Sequence, residues 1–299
     1  MYLEADISSM ERRKFMQKAG VAAVGLGSIP AAQARTLGQS EQAFKKLKHN
    51  INHSVCQWCY SDMPLADFLD VLVDWGIPAI DLIGPADWAL LKEKGIHCSM
   101  CNGAEISLTE GWNNPKYHET LIANYTKMIP LVAEAGYTNL ICFSGNRDGM
   151  NDLVGLQHCV EGLKQIIPLA EKHGVVIQME LFNQINHPDY MADNTLWAVE
   201  LCRRLDTDNF KLLYDIYHMQ IQEGDIIRTI QQYHPYFGHY HTAGVPGRHE
   251  IGDNQELYYP AIMKAIYETG FQGYVAQEFI PTAKKPLNSL KEAFRICDV

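Results

Sequence analysis

The chain has 299 residues, is 47% hydrophobic and carries a formal net charge of −10. That is enough apolar material for a large core, so one barrel-sized domain fits as well as two smaller ones. The acidic balance opposes a nucleic-acid partner, which needs a basic face to displace counterions, but leaves room for a small anion held by one arginine.

The N-terminus reads as an export segment over residues 1–34. Glu11-Arg12-Arg13-Lys14-Phe15-Met16-Gln17-Lys18 is a basic region with paired arginines, Ala19 to Ile29 is mildly apolar, and Ala32-Gln33-Ala34 is a small-residue cleavage site. The order resembles a twin-arginine signal, with Glu11 where Ser or Thr is usual, and implies a periplasmic location. A polar linker over 35–49 follows. No other apolar run reaches the length of a membrane span. Cys56 with Cys59, and Cys98 with Cys101, have zinc-ribbon spacing, but each pair lies in or at the end of a strand-like apolar run. Cysteines there are expected to pack as small hydrophobes, without disulfides or a structural zinc.

From residue 50 onward, short apolar runs alternate with longer amphipathic ones. The strand candidates are Ile51 to Cys59, Ala79 to Gly84, Ile96 to Gly103, Asn139 to Gly145, Val175 to Asn183, Phe210 to Met219, Phe237 to Gly244 and Gly273 to Pro281. Helical patterns run over Leu65 to Trp75, His118 to Ala135, Leu156 to His173, Asn194 to Leu205, Asp225 to His234, Tyr259 to Thr269 and Leu287 to Cys297. Several helices end on glycine, at Gly76, Gly95, Gly136, Gly174 and Gly270, where a left-handed cap is needed. Strand–helix units of this number, in about 250 residues, predict an α/β fold, a single-domain (β/α)8 TIM barrel over 50–299. A doubly wound sheet would show fewer strands and a glycine-rich phosphate turn after the first.

Four residues near the ends of the last four strands stand out: Glu180, Asp215, His241 and Glu278. Consecutive strands bring their ends into one arc, so a single ion can reach all four. Three carboxylates and one imidazole make an oxygen-rich set that favours Mn, Mg or Co, with Zn less favoured. Open positions on such an ion suit a hydroxy-carbonyl compound, acidifying its C–H and stabilising an enediolate. A carboxylate on each side, Glu180 and Glu278, suits proton removal and return. His218 is placed to hydrogen-bond the oxygen that becomes anionic. Arg248 offers paired donors to a carboxylate or hydroxyls, with His249 and Glu250 as its expected orienters. Trp58, Tyr60 and Trp112 are candidates for an apolar wall. Asn102-Gly103 and Ser144-Gly145-Asn146-Arg147 either line the pocket or make turns.

Met179-Glu-Leu-Phe-Asn183, Asp215-Ile-Tyr-His-Met-Gln220, Ala243-Gly-Val-Pro-Gly-Arg-His-Glu250 and Gly273-Tyr-Val-Ala-Gln-Glu278 together resemble the hydroxypyruvate isomerase branch of the xylose-isomerase-like TIM barrels, which also holds the ketose 3-epimerases. The resemblance implies metal ligation by Glu180, Asp215, His241 and Glu278, acid/base work by the two glutamates, and substrate binding by His218 and Arg248. Hydroxypyruvate isomerases tend to carry Gln where this chain has His241, and His there resembles the epimerases. The expected activity is therefore isomerisation or epimerisation of a small hydroxy-carbonyl compound, hydroxypyruvate-like or a free sugar. A dehydratase or lyase could use the same site. A hydrolase like the endonuclease-IV relatives would need more histidine ligands and a basic rim, and an exported binding protein would need no chemistry. Neither nucleic acid nor membrane is an expected partner, and homo-oligomerisation through barrel faces stays open.

Overall fold

The computed structural model describes residues 47–299. The expected export segment, and all but the end of the expected linker, lie outside the described residues. The end of that linker is fastened to the barrel, because the Lys48 and His49 backbone N–H groups donate to the Asp298 carboxylate.

In chain order the elements are β1 (Asn52–Val55), α1 (Leu65–Trp75), β2 (Ala79–Ile83), α2 (Trp88–Lys94), β3 (His97–Cys101), α3 (His118–Glu134), β4 (Asn139–Cys142), α4 (Asp152–Leu163), α5 (Ile167–His173) and β5 (Val176–Glu180). They continue with α6 (Thr195–Leu205), β6 (Phe210–Asp215), α7 (Ile216–Gln222), α8 (Ile226–Tyr233), β7 (Phe237–Thr242), α9 (Tyr259–Glu268), β8 (Tyr274–Gln277) and α10 (Pro286–Cys297). All eight strands are parallel neighbours in the order β1-β8-β7-β6-β5-β4-β3-β2. A parallel bridge between Cys56 and Asp81 joins β1 to β2, giving the (β/α)8 barrel. Among the described residues no helix is long and apolar enough to cross a membrane.

The strands are shorter than the apolar runs that signal them. Side chains continue the run past the strand end, but the backbone turns there to bring polar groups to the mouth. Past Cys56 the chain enters a 3-10 turn, Gln57–Tyr60, and past Asp215 it enters α7 directly. The run from Leu156 to His173 divides into α4 and α5, because the chain changes hydrogen-bond partners around Lys164 to Ile166. The glycine stops behave as expected: Gly76, Gly95 and Gly174 lie at φ 72°, 71° and 66°, and their N–H groups return to the preceding turn.

Ser144 and Arg147 make the mouth's framework. Ser144 Oγ accepts from Ala192 N at 2.9 Å, and Arg147 bonds Asp152 at the start of α4 and ties the loop after β4 to the loop after β5 through Asp193 and the Tyr190 carbonyl. Gly111 is required where the loop after β3 crosses this framework, since a Cβ there would stand 2.3 Å from Gly145 N. All eight cysteines are free thiols, and seven are buried, in keeping with their role as small hydrophobes.

Candidate active site

Glu180 is the last residue of β5, Asp215 the last of β6, His241 lies near the end of β7 and Glu278 immediately follows β8. All four are buried, and each offers one ligand atom within 4.8 Å of the others. His241 Nδ1 stands 3.1 Å from Glu180 Oε1 and 2.8 Å from Glu278 Oε2. The expected arc is thus tighter than four separate strand ends, with both glutamates meeting at one imidazole nitrogen.

Three buried carboxylates this close together need a compensating charge. Arg248 supplies it: its Nη2 bonds Glu278 Oε2 and lies 3.6 Å from Asp215 Oδ2. Its guanidinium carbon sits 5.3 Å from the Trp58 ring centre and 5.6 Å from that of Tyr217, within cation–π range. The residue reaches this position from a left-handed backbone, φ 60°, a conformation that costs a non-glycine residue about 1–3 kcal/mol and persists where neighbours hold it. The Arg248 carbonyl accepts from Ile280 N at 2.7 Å. His249 and Glu250 do not orient the guanidinium. His249 Nδ1 faces the Ile280 carbonyl, and Glu250 receives the Thr282 and Ala283 N–H groups and the Ser289 hydroxyl. They pin the loop after β7 to the segment after β8, and those donors lower the Glu250 pKa against the effect of burial.

Asp215 serves two neighbours at once. Its Oδ1 caps α7, accepting from Tyr217 N at 2.8 Å and His218 N at 3.2 Å. Its Oδ2 is buried without a hydrogen-bond partner. Burial raises the Asp215 pKa to about 7, against the opposing pull of Arg248. Burial also raises Glu180. Glu278 goes the other way: Arg248 and His241 together outweigh its burial and hold it well below the usual carboxylate range. His241 is pushed well up, because Glu278 and its other partners outweigh burial.

His218 has a defined tautomer. Backbone N–H of Asn183 donates to its Nδ1 at 3.2 Å, so the ring proton sits on Nε2, which is buried, unpartnered and 3.6 Å from Asp215 Oδ2. Burial, then Arg248, drive the His218 pKa well down, which keeps the ring a neutral donor aimed into the site.

Sequence reasoning missed Asp81. This acid on β2 is fully buried and accepts from His241 Nε2 at 2.8 Å, with His239 Nε2 at 3.2 Å and the Ser99 hydroxyl on its other oxygen. The two histidines overcome burial and lower its pKa. By holding Nε2–H, Asp81 turns the Nδ1 edge of His241 toward Glu180 and Glu278. A lone acid within the apolar run Ala79-Ile-Asp-Leu-Ile83 was the available signal, since a buried carboxylate must be compensated. Of the suggested wall, Trp58 is at the site, its Nε1 donating to Glu278 Oε1 at 2.9 Å. Tyr60 instead stacks on Phe68, and Trp112 is buried against Tyr125.

The cluster's chemistry fits a hard divalent ion: three carboxylate oxygens and one imidazole nitrogen converge, with Asp215 Oδ2 awaiting a partner. A strand-end cluster at the C-terminal mouth of a (β/α)8 barrel is where enzymes of this architecture place their chemistry. The chain matches the family described as xylose isomerase-like TIM barrel over residues 88–297 and belongs to it. Within the curated proteins, it is 32% identical over 123 residues to a putative hydroxypyruvate isomerase of Danio rerio, covering 41% of this chain and 45% of that one. It is 22% identical over 236 residues to a 2-oxo-tetronate isomerase of Pectobacterium atrosepticum, covering 75% of this chain and 90% of that one. The chain spans about half the length of the hydroxypyruvate isomerases it matches. Solved structures share the fold: an AP endonuclease, family 2, from Brucella melitensis (TM-score 0.71, 22% identity, 79% and 95% covered) and the 3-keto-D-glucoside 4-epimerase of E. coli (TM-score 0.69, 17% identity, 83% and 100% covered).

Proposed function

We propose that this chain is a divalent-metal-dependent isomerase or epimerase of a small hydroxy-carbonyl compound. The observation that carries the reading is the meeting of Glu180 and Glu278 at His241 Nδ1, with Asp215 beside them, at the barrel mouth. The names of the curated relatives, hydroxypyruvate isomerase and 2-oxo-tetronate isomerase, support the same class of reaction.

Glu180, Asp215, His241 and Glu278 would hold the ion. Bound there, it would supply Lewis-acid polarisation of a carbonyl and a counter-charge for the oxygen that becomes anionic. The proton transfers belong to the protein. One glutamate takes the proton from the carbon beside the carbonyl, and the C–H electron pair moves into a carbon–carbon double bond. The other returns a proton to the neighbouring carbon, the hydroxyl proton there passing to the former carbonyl oxygen as the new carbonyl forms, or it returns the proton to the opposite face of the same carbon. The His218 Nε2–H donates to the developing oxyanion, Arg248 donates to a substrate oxygen, and Trp58 fixes the Glu278 carboxylate through Oε1.

The ordered basic, apolar and small-residue regions before residue 35 support export, so we place this activity outside the cytoplasm. Fractionation of cells producing the full chain tests that location. The chemistry is tested by proton NMR in heavy water with Mn or Mg added. Enzyme-dependent deuterium at the carbon beside a carbonyl, lost in Glu180→Gln and Glu278→Gln, is the expected result. Stoichiometric metal without exchange on any hydroxy-carbonyl compound would sink the reading.

A further inference from the structure

His241 has two edges, and only one of them faces the proposed centre. Its Nδ1 meets Glu180 and Glu278, while Nε2 points the other way, at Asp81 Oδ2 2.8 Å away and Cys56 Sγ 3.8 Å away. Cys56 Sγ lies 3.6 Å from the same Asp81 oxygen. Thiol, carboxylate and imidazole therefore close a triangle of fully buried groups whose ligand atoms can reach one ion. Cys59, which has zinc-ribbon spacing from Cys56 in the sequence, is not part of it.

Ligand atoms of a tetrahedral zinc, at about 2.0–2.3 Å from the ion, stand roughly 3.3–3.6 Å from one another. Both sulfur distances are already close to that range. The nitrogen–oxygen pair is shorter because a hydrogen bond holds it, and it would open by about 0.5 Å once an ion takes the place of the proton. Asp81 is braced for such a role: the Ser99 hydroxyl and, at 3.2 Å, His239 Nε2 sit on Oδ1 and leave Oδ2 to the triangle. His239 is itself fully buried with neither ring nitrogen hydrogen-bonded. Charge closes as well, since a thiolate and a carboxylate cancel a divalent ion and add no net charge to the interior. Burial, then Glu278, push the Cys56 thiol well up, so it stays protonated until an ion binds. Loading then sends the thiol proton to water as the sulfur electron pair goes to the ion.

We infer that Cys56, Asp81 and the Nε2 edge of His241 form a second divalent-metal site, selective for thiophilic ions such as zinc, whose filling excludes an ion from the cluster of Glu180, Asp215, His241 and Glu278. The thiolate gives the selectivity, because the oxygen-rich cluster suits harder ions. The exclusion follows from the imidazole, which when neutral has one proton and one free nitrogen. With an ion on Nδ1, the proton stays on Nε2 and bonds Asp81. With zinc on Nε2, the proton stands on Nδ1, facing Glu180 and Glu278, and the outer cluster loses its nitrogen ligand. A soft ion thus acts as a brake on a hard-ion centre. The site shares His241 with that centre, but binding measurements decide it whether or not the centre is an isomerase.

The test is X-ray absorption at the zinc edge on the full chain loaded with one equivalent of zinc. One sulfur neighbour at about 2.3 Å, beside nitrogen and oxygen, is the expected result. The sulfur should vanish in Cys56→Ser and persist in Cys59→Ser. The same equivalent of zinc should weaken Mn binding, read by Mn paramagnetic resonance, by about tenfold or more, and Cys56→Ser should relieve most of that loss. A zinc shell of nitrogen and oxygen alone would place the ion at the outer cluster and overturn the second site. Sulfur that survives in Cys56→Ser, or disappears in Cys59→Ser, would overturn it too, and the Cys59 variant decides the matter if Cys56→Ser fails to fold. Sulfur ligation with unchanged Mn affinity would overturn the exclusion.

Discussion

The two halves of the barrel mouth face each other across one cavity and are made of different chemistry. The ends of β5 to β8 contribute Glu180, Asp215, His241 and Glu278, whereas the segments at the ends of β1 to β4 contribute Trp58, Leu82, Leu108, Ile141 and Phe143. The first half is over-determined by hydrogen bonds: each functional group there has a neighbour that fixes its orientation, as Asn183 does for His218 and Trp58 for Glu278. In the second half Trp58 bonds Glu278, and the aliphatic and phenyl side chains are held by packing. On the proposed reading the proton transfers belong to the acidic side, so substitutions there should act on kcat.

The largest effect is expected on the acidic half. Glu180→Gln and Glu278→Gln should each lower the exchange rate by about 10²–10⁴-fold, the range for loss of a general acid or base, measured by NMR at saturating metal. Glu278→Gln should also destabilise the metal-free protein, because Arg248 would keep a buried charge with Asp215 at 3.6 Å as its remaining acidic contact.

Next comes pH. Burial raises Asp215 to about 7, and its unfolded value is about 3.9. Between those limits the folded state holds more protons than the unfolded one, so the stability of the metal-free protein should fall as pH rises through that window. The contribution of this group is at most about 1.4 kcal/mol per pH unit. Glu180 acts with the same sign, and Glu278 acts oppositely but below its own ordinary value. His218, driven well down by burial, acts oppositely below its ordinary value of about 6.5. Thermal melts of the metal-free protein across pH 4 to 7 should therefore show the Asp215 decline as the difference from Asp215→Asn, and saturating Mn, which binds the deprotonated form, should abolish it.

Asp81→Asn should weaken metal binding about 10–100-fold, the usual cost of removing the carboxylate behind a ligating histidine. Titration calorimetry reads this directly. Unchanged affinity would show that the orientation of His241 does not depend on Asp81. The smallest effect is expected of Trp58→Phe, which keeps a ring on the apolar wall but removes the bond to Glu278 Oε1. A fall of a few-fold in kcat with little change in KM should follow, since His241 and Arg248 still hold the Glu278 carboxylate.

The acidic half was the legible half. Its four residues close apolar runs of strand period, and strand order alone puts consecutive ends side by side. Glycine caps made the helix ends readable for the same reason, since the left-handed backbone they need is local. What was not legible depends on contacts between segments far apart in the chain. Asp81 lies 160 residues from its partner His241, and its role appears only when β2 meets β7 across the barrel interior. The partners of His249 and Glu250 lie beyond β8, so adjacency to Arg248 in sequence suggested the wrong contact. Leu82 reads as an ordinary strand residue until the shifted register of β2 turns it into the cavity.

The most direct test of the shared-ion site is anomalous diffraction from crystals of the Mn-loaded protein. One strong peak bounded by Glu180, Asp215, His241 Nδ1 and Glu278 is the expected result. The nearby group of Cys56, Asp81 and His241 Nε2 is also close enough to hold an ion. A peak there, with the four-residue cluster empty, would contradict the proposed centre and with it the roles assigned to both glutamates.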